Sequence, residues 1–166
     1  MNDSLRSNLE RGELNSKANR KFLLNLKKMN EKKLDALFHK EHDDAFDQID
    51  CLDCANCCKT TSPIFRDRDI DRLAKHLRIK SSQLVEQHLH QDSDGDYVLN
   101  STPCTFLNED NTCSVYNFRP NACKEYPHTN RKKISQVLEL THKNTLICPA
   151  VEQIVEKIKL GLHYER

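Results

Sequence analysis

The chain has no tryptophan, only three glycines among its 166 residues, and no long uninterrupted apolar segment. A membrane-spanning helix needs roughly 18 apolar residues in succession, so we expect no membrane span. With so little glycine, the chain also lacks the glycine-rich loop that typically binds nucleotide phosphates. Lysine and arginine total 26 against 25 aspartates and glutamates, and this balance predicts no nucleic-acid partner.

Cysteine, by contrast, is abundant, with eight residues in the chain. Four of these thiols are crowded into a Cys-x-x-Cys-x-x-Cys-Cys run, and the other four follow singly. Thiolates at such spacing are typical of zinc sites and of iron–sulfur clusters. We predict that all eight are metal ligands: Cys51, Cys54, Cys57, Cys58, Cys104, Cys113, Cys123 and Cys148.

A disulfide framework is the main alternative for an even number of cysteines. The first residues show no apolar run of the kind found in a secretory signal. The adjacent thiols of Cys57 and Cys58 would also make poorly separated bridges. Because cytosolic thiols are kept reduced, we expect a cytoplasmic protein whose cysteines bind metal.

The grouping of the ligands is open at this stage. If residues 51–58 form one helix, Cys51, Cys54 and Cys58 share a face and Cys57 points roughly 100° away. If they form a loop, each Cys-x-x-Cys step can bind one metal, as in a zinc knuckle. Two four-cysteine sites, one polynuclear cluster, and one closed site with spare thiols are all compatible with the sequence.

The sequence predicts a mostly α-helical fold, with a small irregular domain that is organised by metal and contains a short strand. We predict a helical N-terminal extension at residues 1–49 and the cysteine-cluster domain, closed by a C-terminal helix, at residues 50–166. Apolar residues recur at three- and four-residue steps from Phe22 to Ile49, which indicates amphipathic helix after about a dozen frayed residues. The apolar face has two interpretations, namely a protein partner or packing within the same protein.

Further elements are predicted within the domain. Acidic residues begin a helix at 67–77, a serine at 81 or 82 caps a second helix, and residues 97–99 form a strand. The acidic run at 92–96 resembles part of a calcium loop, but Pro103 stands where the bidentate glutamate belongs, so we expect a turn. Pro149 begins a final helix whose apolar stripe ends at Leu162. Cys148 precedes it, and the helix dipole is expected to lower the pKa of this thiol.

The cysteine pattern resembles the YkgJ-type cysteine-cluster family, a zinc- or iron-chelating domain. The resemblance covers roughly residues 51–150 and includes all eight cysteines. It also includes five other residues, Tyr116, Arg119, Pro120, Tyr126 and Pro127. Ala55 departs from the pattern, because the family often has glycine there, and alanine argues against a left-handed backbone at this position.

The resemblance implies zinc or iron as the cofactor, with an iron–sulfur cluster as one form of the iron, and no settled activity. A related cluster occurs in flagellin lysine methylases, so the alternative function is a metal-dependent redox or group-transfer enzyme. Catalytic zinc keeps an open coordination position, whereas eight thiols favour closed sites. Arg119 has three interpretations: a hydrogen bond to a sulfur or carboxylate, a contact with an anionic substrate, or a purely structural role.

Overall fold

The computed structural model describes the backbone of residues 1–164 and the side chains of residues 1–162. The mostly helical fold class is confirmed, since helices dominate and the strands form one small sheet in this part of the chain. The α-helices are α1 (Asp3–Leu14), α2 (Ser16–Leu26), α3 (Glu31–Phe46), α4 (Cys51–Cys54), α5 (Asn56–Thr60), α6 (Asp67–Leu77), α7 (Ser81–His88), α8 (Asn121–Glu125), α9 (Leu138–Thr145) and α10 (Pro149–Tyr164). The strands are β1 (Leu89–Gln91) and β2 (Tyr97–Leu99). Within residues 1–164, no helix has the length and apolar character of a membrane span.

The chain divides into two compact units. The helical unit comprises Met1–Cys54 and the described part of Pro127–Arg166, and the cysteine-rich unit comprises Ala55–Tyr126. The predicted boundary between the N-terminal extension at residues 1–49 and the cysteine-cluster domain at residues 50–166 stays a prediction. The last two residues of the predicted domain, 165 and 166, lie outside the described residues.

The helical unit has a core built from the apolar faces of α2, α3, α9 and α10 and from the short 3₁₀ helix Ile134–Val137 that precedes α9. Its buried residues are Leu23, Leu26, Leu34, Phe38, Ala45, Ile134, Leu138, Ile154, Val155 and Ile158. The apolar stripe predicted for the final helix is confirmed, because Val151 and Ile154 are fully buried and Leu162 packs against the core. The apolar face of residues 22–38 is therefore used within the helical unit. A protein partner for the N-terminal helices stays a prediction.

The prediction of a frayed start is wrong, because α1 begins at Asp3. The Asn2 side chain caps the helix by accepting a hydrogen bond from the backbone N–H of Leu5, at 3.0 Å. Gly12 lies so close to α9 that an added Cβ would stand 2.4 Å from the Thr145 carbonyl oxygen. Because α1 packs here through a glycine, this contact adds no apolar residue to the sequence pattern. The helix was therefore not predicted from apolar periodicity.

Polar contacts fix α1 against α10. The Arg11 guanidinium forms an ion pair with Glu152, whose side chain is fully buried, and its Nε donates to Glu152 Oε1 at 2.9 Å. The buried Asn8 side chain donates to the Pro149 carbonyl oxygen at 3.3 Å. Burial raises the pKa of the Glu152 carboxyl and Arg11 opposes this effect. The ionised form of Glu152 therefore depends on Arg11.

The cysteine-rich unit contains α5 to α8 and an antiparallel pair of strands in which Leu89 faces Leu99. Helix α6 and strand β2 are confirmed as predicted, and β1 was not predicted. The turn expected at 92–96 is present, with Gly95 at a positive φ of 81°. The core residues of this unit are Phe65, Ile70, Leu73, Ala74, Leu84, Leu89, Leu99, Phe106 and Val115.

The predicted serine cap of the second short helix is wrong. Lys80 precedes the first residue of α7, and its backbone N–H donates to the Gln83 side chain at 2.9 Å. The Ser81 hydroxyl instead donates to the Asp71 carboxylate at 2.7 Å. The glutamine therefore satisfies the helix terminus from inside the first turn.

Candidate metal centre

The crowded cysteine run is neither one helix nor one loop. Helix α4 ends at Cys54, Ala55 takes a left-handed conformation with φ 47°, and α5 begins at Asn56. The expectation that alanine argues against a left-handed backbone at this position is therefore wrong. A left-handed alanine costs roughly 1–2 kcal/mol, so the surrounding structure has to hold it. The break also means that Cys51, Cys54 and Cys58 do not share one helical face.

Within the cysteine-rich unit, Cys104 is attached to the segment that carries Cys58. The Cys104 backbone N–H donates to the Cys58 carbonyl oxygen at 2.8 Å. Residues 104–113 then turn back on themselves, with Asn111 left-handed at φ 65° and an isolated antiparallel bridge between Leu107 and Cys113. This turn brings Cys113 back beside Cys104.

Cys123 lies on α8, and the segment before it is held by α6. The buried Asp69 carboxylate accepts hydrogen bonds from the Asn121 backbone N–H at 3.2 Å and from the Arg72 guanidinium at 2.6 Å. The same guanidinium donates to the Arg119 carbonyl oxygen at 2.8 Å. Sequence reasoning missed this role, because an acidic residue in the first turn of a helix is common. Its three-residue spacing from Arg72 was the available signal.

The result is a set of four thiols from separate segments of the cysteine-rich unit: Cys58, Cys104, Cys113 and Cys123. Every pair among them interacts electrostatically. Burial is the largest cause that raises the pKa of Cys104 and of Cys113. Burial, followed by the charges of the other three thiols, raises the pKa of Cys123 to about 12. We call these four residues the four-thiol set.

Cys58 differs from the other members of the four-thiol set. A hydrogen bond from the Cys57 thiol lowers the pKa of Cys58 to about 7, against the opposing effect of burial. The positive charges of Arg119 and Lys59 also lower it. Cys58 is therefore the member of the set that most readily loses its proton near neutral pH.

The chemistry of the four-thiol set fits a soft or borderline metal cation. Four thiolates in a half-buried setting repel one another, and their own charges favour the protonated thiol forms. A cation between them reverses this balance, because a coordinating thiol is deprotonated outright. Four thiolates satisfy tetrahedral zinc, and they equally satisfy the iron atoms of an iron–sulfur cluster.

The helical unit holds three further cysteines, Cys51, Cys54 and Cys148. The charges of Cys51 and Cys54 act on Cys148, so the three thiols are neighbours. Burial raises the pKa of Cys148 to about 12, even though the backbone N–H groups of Val151 and Ala150 lower it. The expected lowering by the helix terminus is therefore outweighed by burial. The Cys54 sulfur also lies 3.9 Å from the Met1 sulfur.

The thiols lie near one another but do not have the arrangement of a complete metal site. Among the described residues, no three or more histidine, cysteine, aspartate or glutamate side chains already have the arrangement of a metal site. No disulfide joins any of the eight cysteines, all of which lie in the described part of the chain. All eight side chains are therefore thiols rather than disulfides in this structure.

A family model matches residues 50–149, the segment that contains all eight cysteines. This family is described as "CxxCxxCC: Putative zinc- or iron-chelating domain". The chain belongs to the CxxCxxCC family. The match shows metal chelation of the zinc or iron type as the family's character, without choosing between the metals. No curated protein and no solved structure matches the chain.

Membership in the CxxCxxCC family places the two groups of thiols in one family domain. Cys51 and Cys54 of the helical unit and Cys57 and Cys58 of the cysteine-rich unit belong to the run that gives the family its name. The match ends just after Cys148, at residue 149. The family domain therefore draws its cysteines from both units.

Proposed function

We propose that this protein binds zinc or iron through its cysteine thiolates. The eight proposed ligands are Cys51, Cys54, Cys57, Cys58, Cys104, Cys113, Cys123 and Cys148. The observation that carries the proposal is the four-thiol set, in which residues far apart in sequence interact pairwise in one unit. Four converging thiols without disulfides are the donor set that these metals prefer.

The structure supports one ligand group within each unit. The four-thiol set supplies enough thiolates for one closed tetrahedral site. In the helical unit, Cys51, Cys54 and Cys148 supply three more. Without metal, the protonated Cys57 thiol donates a hydrogen bond to Cys58. In this proposal Cys57 loses that proton when metal binds and then serves as a further thiolate. This grouping favours more than one metal ion, or a polynuclear cluster, over a single site with spare thiols.

The test is metal and sulfide analysis of protein purified without oxygen, together with its optical spectrum. Zinc without visible absorbance identifies a zinc protein. Iron with acid-labile sulfide and a brown charge-transfer band identifies an iron–sulfur protein. Absence of both metals, with failure to take up Zn²⁺ or iron and sulfide after reduction, would refute the proposed function.

Cysteine variants then test the ligand group. We expect Cys113→Ser and Cys123→Ser to lower the metal content, because each removes a thiolate from the four-thiol set. His90→Ala is the control, since His90 is exposed and hydrogen-bonds the Asn100 side chain in the same unit. Full metal loading in both cysteine variants would count against the four-thiol set as ligands.

Three predictions made from the sequence are not tested by the structure or by the family match. A cytoplasmic location, a protein partner and the redox or group-transfer alternative all stay predictions. The optical spectrum bears on the last of these, because a redox role needs iron, whereas zinc has no redox chemistry.

A further inference from the structure

Arg119, which belongs to the same unit as the four-thiol set, is fixed in place by two neighbouring residues. Its guanidinium carbon lies 3.6 Å from the centre of the Tyr116 ring, in a cation–π contact. One terminal nitrogen donates to the Tyr116 carbonyl oxygen at 3.4 Å. On the backbone side, the Arg119 carbonyl oxygen accepts the hydrogen bond from Arg72. Both the side chain and the backbone of Arg119 are therefore constrained.

The charge of Arg119 acts on three members of the four-thiol set, namely Cys58, Cys113 and Cys123. The Nε atom of Arg119 is buried and has no hydrogen-bond partner among the residues that the structure describes. A buried N–H donor without a partner costs on the order of 1–3 kcal/mol. A fixed, positively charged donor with a buried N–H that lacks a partner indicates an acceptor that is absent from this structure, and the sulfur of a metal-bound thiolate is such an acceptor.

We propose that Arg119 is a positioning residue of the metal centre, which donates an N–H group to a metal-bound thiolate and balances part of the site's negative charge. This inference rests on the proposed function. Four thiolates around Zn²⁺ carry a net charge of about −2, so a fixed positive charge nearby favours the loaded state. Tyr116, which is largely exposed, serves as the surface on which the guanidinium is oriented.

The proposal is specific to the guanidinium group. Arginine presents its donors in a planar fork and stacks on an aromatic ring, whereas lysine offers a compact charge without either property. Partners of this kind around metal ligands are known to matter, since their removal typically lowers metal affinity by roughly 10- to 100-fold. The same range is expected for Arg119→Gln.

The test is competition for Zn²⁺ between the reduced full-length protein and a chromogenic chelator. We expect Arg119→Gln to bind the same number of zinc ions as the wild type, with roughly 10- to 100-fold lower affinity at the weakened site. Arg119→Lys is expected to fall between the two. Arg68→Gln is the matched control, because it removes one exposed positive charge from the same unit. Equal affinities for Arg119→Gln and Arg68→Gln would overturn the proposal.

If Arg119→Gln does not fold, Arg119→Lys and one further variant, Tyr116→Leu, test the proposal. Arg119→Lys keeps the apolar stem and the charge, and Tyr116→Leu removes only the aromatic platform. We expect both to bind Zn²⁺ several-fold more weakly than Arg68→Gln, and affinities equal to that control would again refute the role. Failure of the wild type to take up any metal would instead refute the proposed function. The two failures are thus distinguishable.

Discussion

The two units differ in what holds them together. The helical unit buries large apolar side chains such as Leu34 and Phe38 from several long helices. In the cysteine-rich unit, residues 103–126 contain only a short 3₁₀ helix and the five-residue α8, and they carry three of the four thiols in the four-thiol set. This segment adds only Phe106 and Val115 to the buried core of its unit, so we expect its order to depend more on specific contacts. On the proposed function, we therefore expect metal to matter more to the cysteine-rich unit than to the helical unit.

Removal of metal should give the largest effect and the sharpest contrast between the units. A structural zinc contributes on the order of 10–16 kcal/mol in small domains, which is comparable to the total stability of a typical protein, about 5–15 kcal/mol. We expect chelation under reducing conditions to increase amide hydrogen exchange over residues 103–126, with much smaller changes in α3 and α10. Equal loss of protection in both units, measured by mass spectrometry, would remove the distinction.

Loss of Arg11 should destabilise the helical unit alone. Arg11→Gln leaves the buried Glu152 carboxylate without its positive partner, and we expect a loss of about 3 kcal/mol in the free energy of unfolding. The measurement is chemical denaturation of the metal-loaded protein. Arg6→Gln, at an exposed position on the same helix, is the control and should be nearly neutral. An unchanged metal content in Arg11→Gln would show that α1 is a structural element rather than part of the site.

Asp69→Asn tests the hydrogen bonds of a buried carboxylate in the cysteine-rich unit. The substitution keeps the side-chain size but weakens the hydrogen bonds from Arg72 and Asn121, which position the segment before Cys123. We expect a cost of about 2 kcal/mol, seen as weaker metal binding and a lower Tm of the metal-loaded protein. The exposed Asp67 gives the matched control, Asp67→Asn. The prediction is wrong if both variants bind metal as the wild type does.

These results show where sequence patterns are informative and where they stop. The apolar stripe of α10 and the acidic start of α6 are local signals with a helical period, and both predictions are confirmed. Helix α1 was missed because it is fixed by a glycine and by polar contacts with residues more than 130 positions away. The left-handed conformation of Ala55 was missed because it runs against the residue's own preference.

In the candidate metal site, too, some features could be predicted from the sequence and others could not. Cysteine has so few other uses at this spacing that the sequence alone predicts the ligands, and this stays a prediction. Their grouping depends on long-range contacts, such as the hydrogen bond between Cys104 and Cys58, which no local pattern encodes. The role of Asp69 depends on where α6 meets the segment before α8, which only the folded chain shows.

The smallest predicted effect is a pH dependence that belongs to the helical unit. His42 Nδ1 lies 2.7 Å from the hydroxyl oxygen of Thr129, a fully buried residue, and the His42 ring lies 4.5 Å from the Phe46 ring. Burial lowers the pKa of His42 below its ordinary value of 6.5. Nearby Asp43 raises this pKa, and His39 lowers it further.

The sign of the pH dependence follows from the direction of this shift. The unfolded chain binds a proton on His42 more readily than the folded protein does, so acid favours unfolding. The contribution is fully present above about pH 6.5 and is lost as the pH falls through the folded-state pKa. Tm measured between pH 7 and pH 5 should therefore fall less steeply for His42→Gln than for the wild type, at equal metal loading. His90→Gln should follow the wild type, because His90 is exposed, and a profile for His42→Gln that also follows it would mean that another group governs the acid sensitivity of the helical unit.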